Sequence, residues 1–346
     1  MSELNNASDA AVVILNWNGK RYLEKFLPSV LKYTPGTRII VADNASTDDS
    51  ISFLKSEYPT IEIIENETNG GFAKGYNEAL KKVNSKYYVL LNSDIEVTEN
   101  WLDPLLEIMT DKTIAGCQPK ILSYQNKAYL EHAGAAGGFI DINYFPFCRG
   151  RIFETVEKDE GQFDFPVEVF WATGACLLMR SESFHSVGGF DEDFFAHMEE
   201  IDLCWRLKLQ GYKFMVAPTS SVFHIGGGTL PYSSSRKTYL NFRNSLFMIV
   251  KNHKGWLFPK LFWRLCIDGI GGFRFLIRGE IDQLLAVLKA HASVYKNLGK
   301  FLKKRRVIQR NSSQANLTGL FKGNILWNYY IKKVKSYVHL NQRLFK

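Results

Sequence analysis

The 346-residue sequence has few cysteines, and none has the spacing of a metal or redox site. The five residues are scattered and form no C-x-x-C pair: Cys117, Cys148, Cys176, Cys204 and Cys266. This pattern argues against a disulfide framework or a zinc knuckle and is typical of reduced thiols in a cytosolic protein. Residues 1–10 form a polar leader without the apolar run of a signal peptide, so we expect a cytoplasmic protein.

Two common phosphate-binding fingerprints and a membrane-spanning segment are also missing. No G-x-x-x-x-G-K-[ST] motif occurs, which argues against a P-loop. The glycine-rich segment Asn69–Asn77 is not G-x-G-x-x-G and follows the third predicted strand, so a dinucleotide fingerprint fits poorly. No uninterrupted run of about 20 apolar residues exists, so we expect no membrane-spanning helix.

Acidic residues are scarce in the last hundred positions. From Lys251 to Lys346 there are 20 Lys and Arg but only three acids, which leaves 23 basic and 32 acidic residues before Lys251. The formal charge is therefore +17 in the tail and −9 in the preceding part, within a total of +8. A tail of this charge predicts an anionic partner or surface.

The first hundred residues alternate short apolar strands with helical segments. Strands are predicted at 11–17, 38–44, 61–66 and 87–92, and a helix is predicted after each of them. Ser46 or Thr47 is expected to cap the second helix. This alternation predicts an α/β fold with a mostly parallel sheet and helices on both faces. Ligands of such sheets bind beyond the carboxyl ends of the strands, where Asn16, Asp43 and Asp94 stand.

The rest of the chain divides into three stretches. Residues 116–167 are rich in glycine and aromatics and predict loops and short strands. Residues 167–180 predict a strand, a helix is expected from about Glu199, and short strands should end at His224. Beyond Arg236 the sequence predicts helices to the end. We therefore expect a leader at 1–10, a catalytic domain over 11–235 and a basic helical region over 236–346.

Several polar residues have chemistry suited to a nucleotide ligand. Asp43 can accept hydrogen bonds from a ribose or a base N–H, although a helix-capping role is the alternative. The glycines of Asn69–Asn77 allow the backbone to approach a ligand closely. Asp94 is a candidate ligand for Mg²⁺ or Mn²⁺, which prefer carboxylate and phosphate oxygens. His224 is a candidate second ligand, although a lone histidine beside an apolar strand is more often structural.

The densest acidic cluster lies in "HMEEIDLCWR". Its acids are Glu199, Glu200 and Asp202. Acids in a first helical turn interact favourably with the helix dipole, and Asp202 is placed to pair with Arg206 at i,i+4. The two glutamates follow the aromatic segment "FFAHM", where partial burial would raise a carboxyl pKa. A carboxylate with a raised pKa suits a general base.

Seven segments taken together resemble the family 2 glycosyltransferases of the GT-A fold, near their bacterial rhamnosyltransferase-like branch. They lie between about Ala11 and Thr229 and read "VVILNWNG", "VADNASTDDS", "NGGFAKGYN", "LLNSDIEV", "WATGACLLMR", "GGFDEDFFAHMEEIDLCWR" and "HIGGGT". The resemblance implies a nucleotide-sugar donor, a divalent cation (Mg or Mn) and inversion at the anomeric carbon.

The resemblance also implies roles for individual residues. Asn92-Ser93-Asp94 matches the D-x-D position with Asn in place of the first Asp, and His224 matches the distal histidine. Glu199-Glu200 matches the E-D pair whose second member is the base, so Glu200, one methylene longer than Asp, takes that role. The donor is expected to meet Asn16, Asp43, Asn69, Gly71, Gly75, Asn77, Asn92, Asp94, Trp171 and Gly174.

The expected reaction moves a sugar from a dTDP-rhamnose-like or UDP-sugar donor to a glycan or lipid-linked glycan in cell-surface polysaccharide synthesis. Two other functions are compatible with parts of the pattern. A sugar-phosphate nucleotidyltransferase shares the architecture, although "NWNGKRY" matches its glycine-rich loop poorly. A membrane-associated scaffold that retains an inactive transferase fold is the non-enzymatic alternative.

The tail segment 245–277 interleaves basic residues with Trp, Phe and Leu. This composition suits helices that lie in an anionic membrane interface. The alternative is an ordinary helical subdomain packed on the catalytic domain. Nucleic-acid binding is not expected, because no recognisable module is present. We therefore expect peripheral association with the inner face of the plasma membrane, next to a lipid-linked acceptor.

Overall fold

The computed structural model describes residues 7–226, 234–312 and 314–346, and in this part the strands form two sheets. The strands are β1 (Ala10–Asn16), β2 (Arg38–Asp43), β3 (Glu62–Glu65), β4 (Tyr87–Asn92), β5 (Ile95–Val97), β6 (Ile114–Ser123), β7 (Gly138–Asp141), β8 (Pro146–Cys148), β9 (Arg151–Ile152), β10 (Thr155–Val156), β11 (Val167–Val169), β12 (Cys176–Arg180), β13 (Lys213–His224) and β14 (Leu320–Phe321).

The larger sheet has the order β11-β13-β6-β12-β4-β1-β2-β3, and β5 pairs with β13. Strands β3, β2, β1 and β4 are parallel neighbours, and β6 and β13 run in the same direction as these four. Strands β5, β11 and β12 run the opposite way. The sheet is therefore mostly parallel, as the sequence predicts.

Nine α-helices are defined in the described residues. They are α1 (Lys20–Tyr33), α2 (Ser50–Glu57), α3 (Gly71–Leu80), α4 (Asp103–Ile108), α5 (Ser181–Ser186), α6 (Glu199–Leu209), α7 (Ser235–Asn252), α8 (Leu257–Ile277) and α9 (Ile281–Arg310). Within the same residues, no helix combines the length and apolar character needed to cross a membrane.

Alternating side chains of the central strands enter two separate cores, which explains their continuous apolar runs. In β1, Val12 and Ile14 pack with α1, α2 and α4, whereas Ala11 and Val13 pack on the opposite face with α3 and α6. Both faces of the strand are thus covered, which is the arrangement that a parallel strand requires. The predicted α/β fold with helices on both faces is confirmed.

The smaller sheet has the order β10-β9-β8-β7-β14 and joins the middle of the chain to its end. Its strands β7 to β10 are the short strands expected between residues 116 and 167. Strand β14 pairs in parallel with β7, with Leu320 opposite Ile140. The last 27 residues thus contribute a strand and short helical turns. The prediction of helices to the end of the chain was therefore wrong beyond Arg310.

Three local predictions differ from the structure. Helix α2 begins at Ser50, so neither Ser46 nor Thr47 caps it. The Ser46 backbone N–H instead donates to Asp43, and the Ser46 hydroxyl accepts from Asn16. Residues 114–123 form a long strand of the main sheet, in which Pro119 lies where the pairing with β13 shifts register. The single strand expected over 167–180 is interrupted, because β11 pairs with β13 but β12 pairs with β4.

Candidate functional site

The parallel register brings the polar ends of β1, β2 and β4 to one edge of the sheet. Asn16 lies opposite Asp43, and Leu15 lies opposite Asn92. The Asn16 amide donates to Asp43 Oδ2 over 2.9 Å, and Asp43 Oδ1 accepts from the Ser46 backbone. Asn16 Oδ1 is buried without a hydrogen-bond partner in the described part of the chain. Because this oxygen faces Gly19 and both side chains are buried, Asn16 and Asp43 support the strand ends beneath the position where a nucleotide is expected.

An asparagine network behind this edge anchors the glycine-rich segment. Asn44 donates to the Asn69 side chain over 2.9 Å and to the Gly71 carbonyl over 3.1 Å. Asn66 donates to the carbonyl of Gly75. Gly71 has a φ of +80°, and a Cβ added to it would overlap the Phe195 carbonyl. Hence Gly71 allows close packing within the protein, in addition to any approach by a ligand.

Two residues expected at the donor instead hold neighbouring protein segments. The Asn77 amide donates to the Phe190 carbonyl over 2.9 Å and accepts from the Phe190 backbone N–H over 3.0 Å. Trp171 is only 4% exposed, donates its indole N–H to the Phe139 carbonyl and lies against Gly138. Neither residue presents its polar group to the strand-end edge in this structure.

Asp94 and His224 are brought together by strand pairing. His224 lies opposite Ile95 in the β13–β5 pair, and the backbone N–H of Ile225 donates to the Asp94 carbonyl. The resulting distance from His224 Nε2 to Asp94 Oδ1 is 3.2 Å. Asn92 Nδ2 also lies 3.5 Å from Nε2. The two candidate metal ligands, 130 positions apart in the sequence, are therefore neighbours.

A third carboxylate, which the sequence analysis did not single out, completes this cluster. Glu131 is buried in the loop after β6, and its Oε2 lies 3.0 Å from His224 Nδ1. Burial opposes the charge on His224, yet Asp94 and Glu131 together raise its pKa to about 10. The same contacts keep the pKa values of both carboxyls below their ordinary range despite burial. The only hint in the sequence is an acid within the otherwise apolar segment "YLEHAGAAGG".

The donor set at this cluster fits a divalent cation bound jointly with a ligand. Among residues 7–226, 234–312 and 314–346, no group of three His, Cys, Asp or Glu side chains is arranged to enclose a metal ion. Mg²⁺ and Mn²⁺, however, commonly bind through one or two protein groups plus phosphate oxygens and water. Asp94 Oδ1 and His224 Nε2 supply such a pair once a cation displaces the proton held between them, and Glu131 resembles the outer carboxylate that orients a metal-binding histidine.

Glu199 and Glu200 open helix α6 in a poorly solvated environment. Glu199 is buried, and both its Oε2 and that of Glu200 lack a hydrogen-bond partner among the described residues. Burial raises the pKa of Glu200 to about 7. Burial, followed by the charge of Glu200, raises the pKa of Glu199 well above its ordinary range. Glu200 is partly exposed as a residue although its Oε2 is buried, whereas Glu199 is only 4% exposed, so Glu200 is the less enclosed member of the pair.

Asp202, the third acid of the cluster, is fully buried in an ion network. Its Oδ2 lies 2.8 Å from Arg206 Nε and 2.8 Å from Lys251 Nζ, and its Oδ1 accepts from Asn252 over 2.8 Å. The predicted pairing of Asp202 with Arg206 is confirmed. Because Lys251 and Asn252 belong to α7, the network also ties the basic tail to α6.

The segment before α6 has an unusual backbone that α7 holds in place. Phe195, His197 and Met198 all have positive φ, a conformation that costs non-glycine residues energy and often occurs at functional sites. Asn244 of α7 donates to the carbonyls of Phe194, Ala196 and His197 at distances of 2.7 to 2.9 Å. The sequence around Asn244 does not reveal this role, because nothing local to it indicates contact with residues some 50 positions earlier.

The segment Gly174–Ala175 contacts both Glu200 and the end of β4. A Cβ added to Gly174 would meet Phe72 and lie 3.7 Å from Glu200 Cβ. The following residue, Ala175, accepts a hydrogen bond from the Asn92 backbone N–H over 2.9 Å. This short segment therefore links Glu200 of α6 to the end of β4, two residues before Asp94. A carboxyl with a raised pKa in the same part of the fold as candidate cation ligands suits acid–base chemistry at a charged substrate.

Comparison with known proteins agrees with this fold. The family model for "Glycosyl transferase family 2" matches residues 11–188, which is half of the chain. The chain belongs to glycosyltransferase family 2 and is a glycosyltransferase. The predicted family is thereby confirmed, and the sugar-phosphate nucleotidyltransferase alternative is not supported.

The curated relatives include rhamnosyltransferases at modest identity. The N-acetylglucosaminyl-diphospho-decaprenol L-rhamnosyltransferase of Mycobacterium tuberculosis is 24% identical over 270 residues, covering 73% of this chain and 88% of the relative. Rhamnosyltransferase WbbL of Escherichia coli K12 is 26% identical over 224 residues, covering 62% and 82%.

Solved structures support the fold. GalNAc-T7, crystallised with UDP, GalNAc and Mn²⁺, superimposes with a TM-score of 0.61 at 18% identity, covering 93% of this chain and 56% of its own. The chain thus spans little more than half the length of that protein. The mannosyltransferase PcManGT of Pyrobaculum calidifontis, crystallised with GDP-Man and Mn²⁺, gives a TM-score of 0.50 at 14% identity over 89% of this chain and 86% of its own.

Proposed function

We propose that this glycosyltransferase moves a sugar, with inversion, from a nucleotide-diphosphate donor to a hydroxyl of a glycan or lipid-linked glycan. The observation that carries the proposal is the 3.2 Å contact between Asp94 Oδ1 and His224 Nε2, which offers two ligands for the cation of a diphosphate donor, while Glu200, packed near Gly174, is the candidate base. A dTDP-rhamnose-like donor is the first choice, because the relatives named above include rhamnosyltransferases, and a UDP-sugar is the second.

In this proposal the nucleoside lies at the ends of β1 and β2. Asn16 and Asp43 are both buried and brace the strand ends beneath the nucleoside through their 2.9 Å hydrogen bond. Asn69, Gly71 and Gly75 form the neighbouring wall, whose shape depends on the asparagine network. Asn77 and Trp171 act indirectly by fixing adjacent loops.

Asp94 and His224 would hold a divalent cation, which when bound offsets charge on the leaving diphosphate. Glu131 accepts from His224 Nδ1 and so leaves Nε2 directed at Asp94. Asn92, at the first position of the D-x-D-like tripeptide, contributes an amide near Nε2. These four side chains therefore position the diphosphate end of the donor.

Glu200 would remove the proton of the acceptor hydroxyl as that oxygen attacks the anomeric carbon. A pKa of about 7 allows Glu200 to be ionised at neutral pH while remaining basic enough to accept the proton. Glu199, more deeply buried and with a higher pKa, would stay protonated and orient its neighbour. Gly174 allows the Phe72 ring to pack closely beside Glu200 and so shapes the wall next to the proposed base.

The basic tail would bring the enzyme to an anionic membrane surface, on the cytoplasmic side where a lipid-linked acceptor is available. Its formal charge of +17 supports this part of the proposal. Flotation with anionic vesicles at low salt is its direct test. Failure of the purified protein to float would reject membrane association without affecting the transfer reaction.

The transfer proposal is tested by a thermal-shift screen of nucleotide sugars with Mn²⁺ or EDTA, because a preferred donor stabilises the folded state by mass action. The preferred donor should stabilise the parent protein in Mn²⁺ but not in EDTA. Asp94→Ala should lose this shift and turnover, whereas the exposed Glu107→Ala on α4 should retain both. Full activity of Asp94→Ala in EDTA would reject the metal role. Absence of donor turnover in the parent protein would favour the non-enzymatic alternative, a membrane-associated scaffold with an inactive transferase fold.

A further inference from the structure

Helix α8 turns a partly charged side toward the protein and an apolar side outward, which is the reverse of an ordinary amphipathic surface helix. Its buried positions are Leu257, Leu261, Arg264, Asp268 and Gly272. Arg264 and Asp268 form an ion pair of 2.9 Å, and Arg264 also donates to the carbonyls of Asn143 and Tyr144. The side that faces the protein is thus partly charged. A surface helix normally turns its charged side to water instead.

The opposite side of α8, which we call its outer face, is apolar and exposed. The outer face consists of residues that are each at least 54% exposed: Phe258, Phe262, Trp263, Ile270, Phe273 and Ile277. Exposed Ile281, Leu285 and Leu288 continue the surface onto α9. An apolar surface this extensive indicates an interaction site.

The charges around the outer face indicate what covers it. Asp268, the single acid of α8, is buried in its ion pair, whereas Lys254, Arg274 and Arg278 are exposed near the two ends of the helix and outnumber the exposed acids there, Glu280 and Asp282. A second copy of this basic tail would bring like charges together, which disfavours self-association. An anionic lipid surface matches both the apolar centre and the basic ends.

The dimensions favour a helix lying in the membrane plane. At 21 residues, α8 is about 30 Å long, but the Arg264–Asp268 pair interrupts its apolar character and anchors one side to the protein. Trp256, 87% exposed, and Trp263 lie near its first turn. Tryptophan suits the boundary between lipid and water, because its ring is apolar while its N–H remains hydrated.

We infer that the outer face of α8 enters the membrane interface of anionic bilayers and so orients the transferase on its lipid-linked acceptor. This inference rests on the membrane association proposed above and adds the surface that makes the contact. Its partner is the lipid bilayer, recognised by apolar insertion and phosphate charge, rather than a particular headgroup.

The first test compares vesicle flotation of the full chain with that of Phe262→Gln/Phe273→Gln. Both side chains are exposed, so the variant should fold, as circular dichroism can verify. We expect roughly tenfold weaker binding to phosphatidylcholine vesicles containing phosphatidylglycerol, because two rings lose their burial in lipid. Phe165→Gln, at a 56% exposed position away from α8, is the matched control and should bind like the parent. Removing phosphatidylglycerol or raising salt should weaken binding by the parent.

The second test locates the helix in the bilayer by quenching of tryptophan fluorescence with lipids brominated on their acyl chains. The parent protein should be quenched, and Trp256→Phe/Trp263→Phe should lose most of this quenching while it still floats. Flotation of the parent with undiminished binding by Phe262→Gln/Phe273→Gln would overturn the assignment of α8 but leave membrane association intact. Absence of binding by the parent would overturn both. A dimer that this variant dissociates, without vesicle binding, would identify a self-interface and overturn the inference.

Discussion

Replacing Glu200 by Gln should separate catalysis from stability, because the raised pKa of this carboxyl reflects an energetic cost in the folded protein. Burial moves the pKa of Glu200 from an ordinary 4.5 to about 7. At 1.36 kcal/mol per pKa unit, this change corresponds to about 3 kcal/mol. The folded protein therefore holds the Glu200 proton more tightly than the unfolded chain does.

The sign of the pH dependence follows from proton binding. Between pH 4.5 and about 7 the folded state binds more protons at Glu200 than the unfolded state, so stability falls as the pH rises through this window. Glu200→Gln removes the titration. The free energy of unfolding of the variant relative to the parent should therefore increase by about 3 kcal/mol from pH 4.5 to pH 8. The two proteins should also differ in free energy of unfolding by an amount that does not depend on pH, because the substitution changes a buried polar atom, Glu200 Oε2, that lacks a hydrogen-bond partner among the described residues.

Urea unfolding of both proteins across this pH range measures the stability change, and donor-transfer kinetics measure the catalytic change. The variant should lose about 10²–10⁴ in kcat while its donor affinity stays nearly unchanged. In the parent, kcat/KM should fall as the pH drops below about 7, because the base becomes protonated. Glu107→Gln, on the exposed side of α4, controls for the loss of a carboxylate.

Two results would refute this reasoning. A stability difference that does not change between pH 4.5 and pH 8 would mean that Glu200 is not held at a raised pKa. Full activity of Glu200→Gln, together with loss of chemistry in Asp202→Asn at unchanged stability, would assign the base to the other acid of α6.

Three further predictions concern the supports of the site. Asp202→Asn should lower the free energy of unfolding by about 3–5 kcal/mol, measured in urea, because it leaves Lys251 and Arg206 buried without their shared carboxylate; unchanged stability would contradict the network. Glu131→Gln should weaken Mn²⁺ binding about 10–100-fold in a calorimetric titration with nucleoside diphosphate present, and excess Mn²⁺ should restore activity; equal affinity would contradict the orienting role. Gly71→Ala should lower the free energy of unfolding more than Gly36→Ala does. Both glycines have positive φ, which costs an alanine about 1–2 kcal/mol, but only Gly71 lies against Phe195. Equal losses of stability in urea would contradict that packing.

The sequence by itself determined the features that depend on neighbouring residues. Strand β4 spans Tyr87–Asn92 as predicted, because its uninterrupted apolar run supplies both faces of a buried strand. The Asp202–Arg206 pair was predictable because residues four apart share one face of a helix. The strand-end positions of Asn16 and Asp43 followed from the parallel sheet, since its strands end at one edge.

Contacts between distant segments were decided only by the tertiary structure. The sequence around Glu131 and Asn244 does not indicate their partners, because His224 and the carbonyls of residues 194–197 are brought near only by folding. The sequence of α8 indicates a helix with basic and aromatic residues but does not say which side faces inward. That choice depends on the carbonyls of Asn143 and Tyr144 and on Phe145, whose ring lies 3.7 Å from the Arg264 guanidinium. Because these groups satisfy the buried Arg264, the apolar side of the helix is left facing outward.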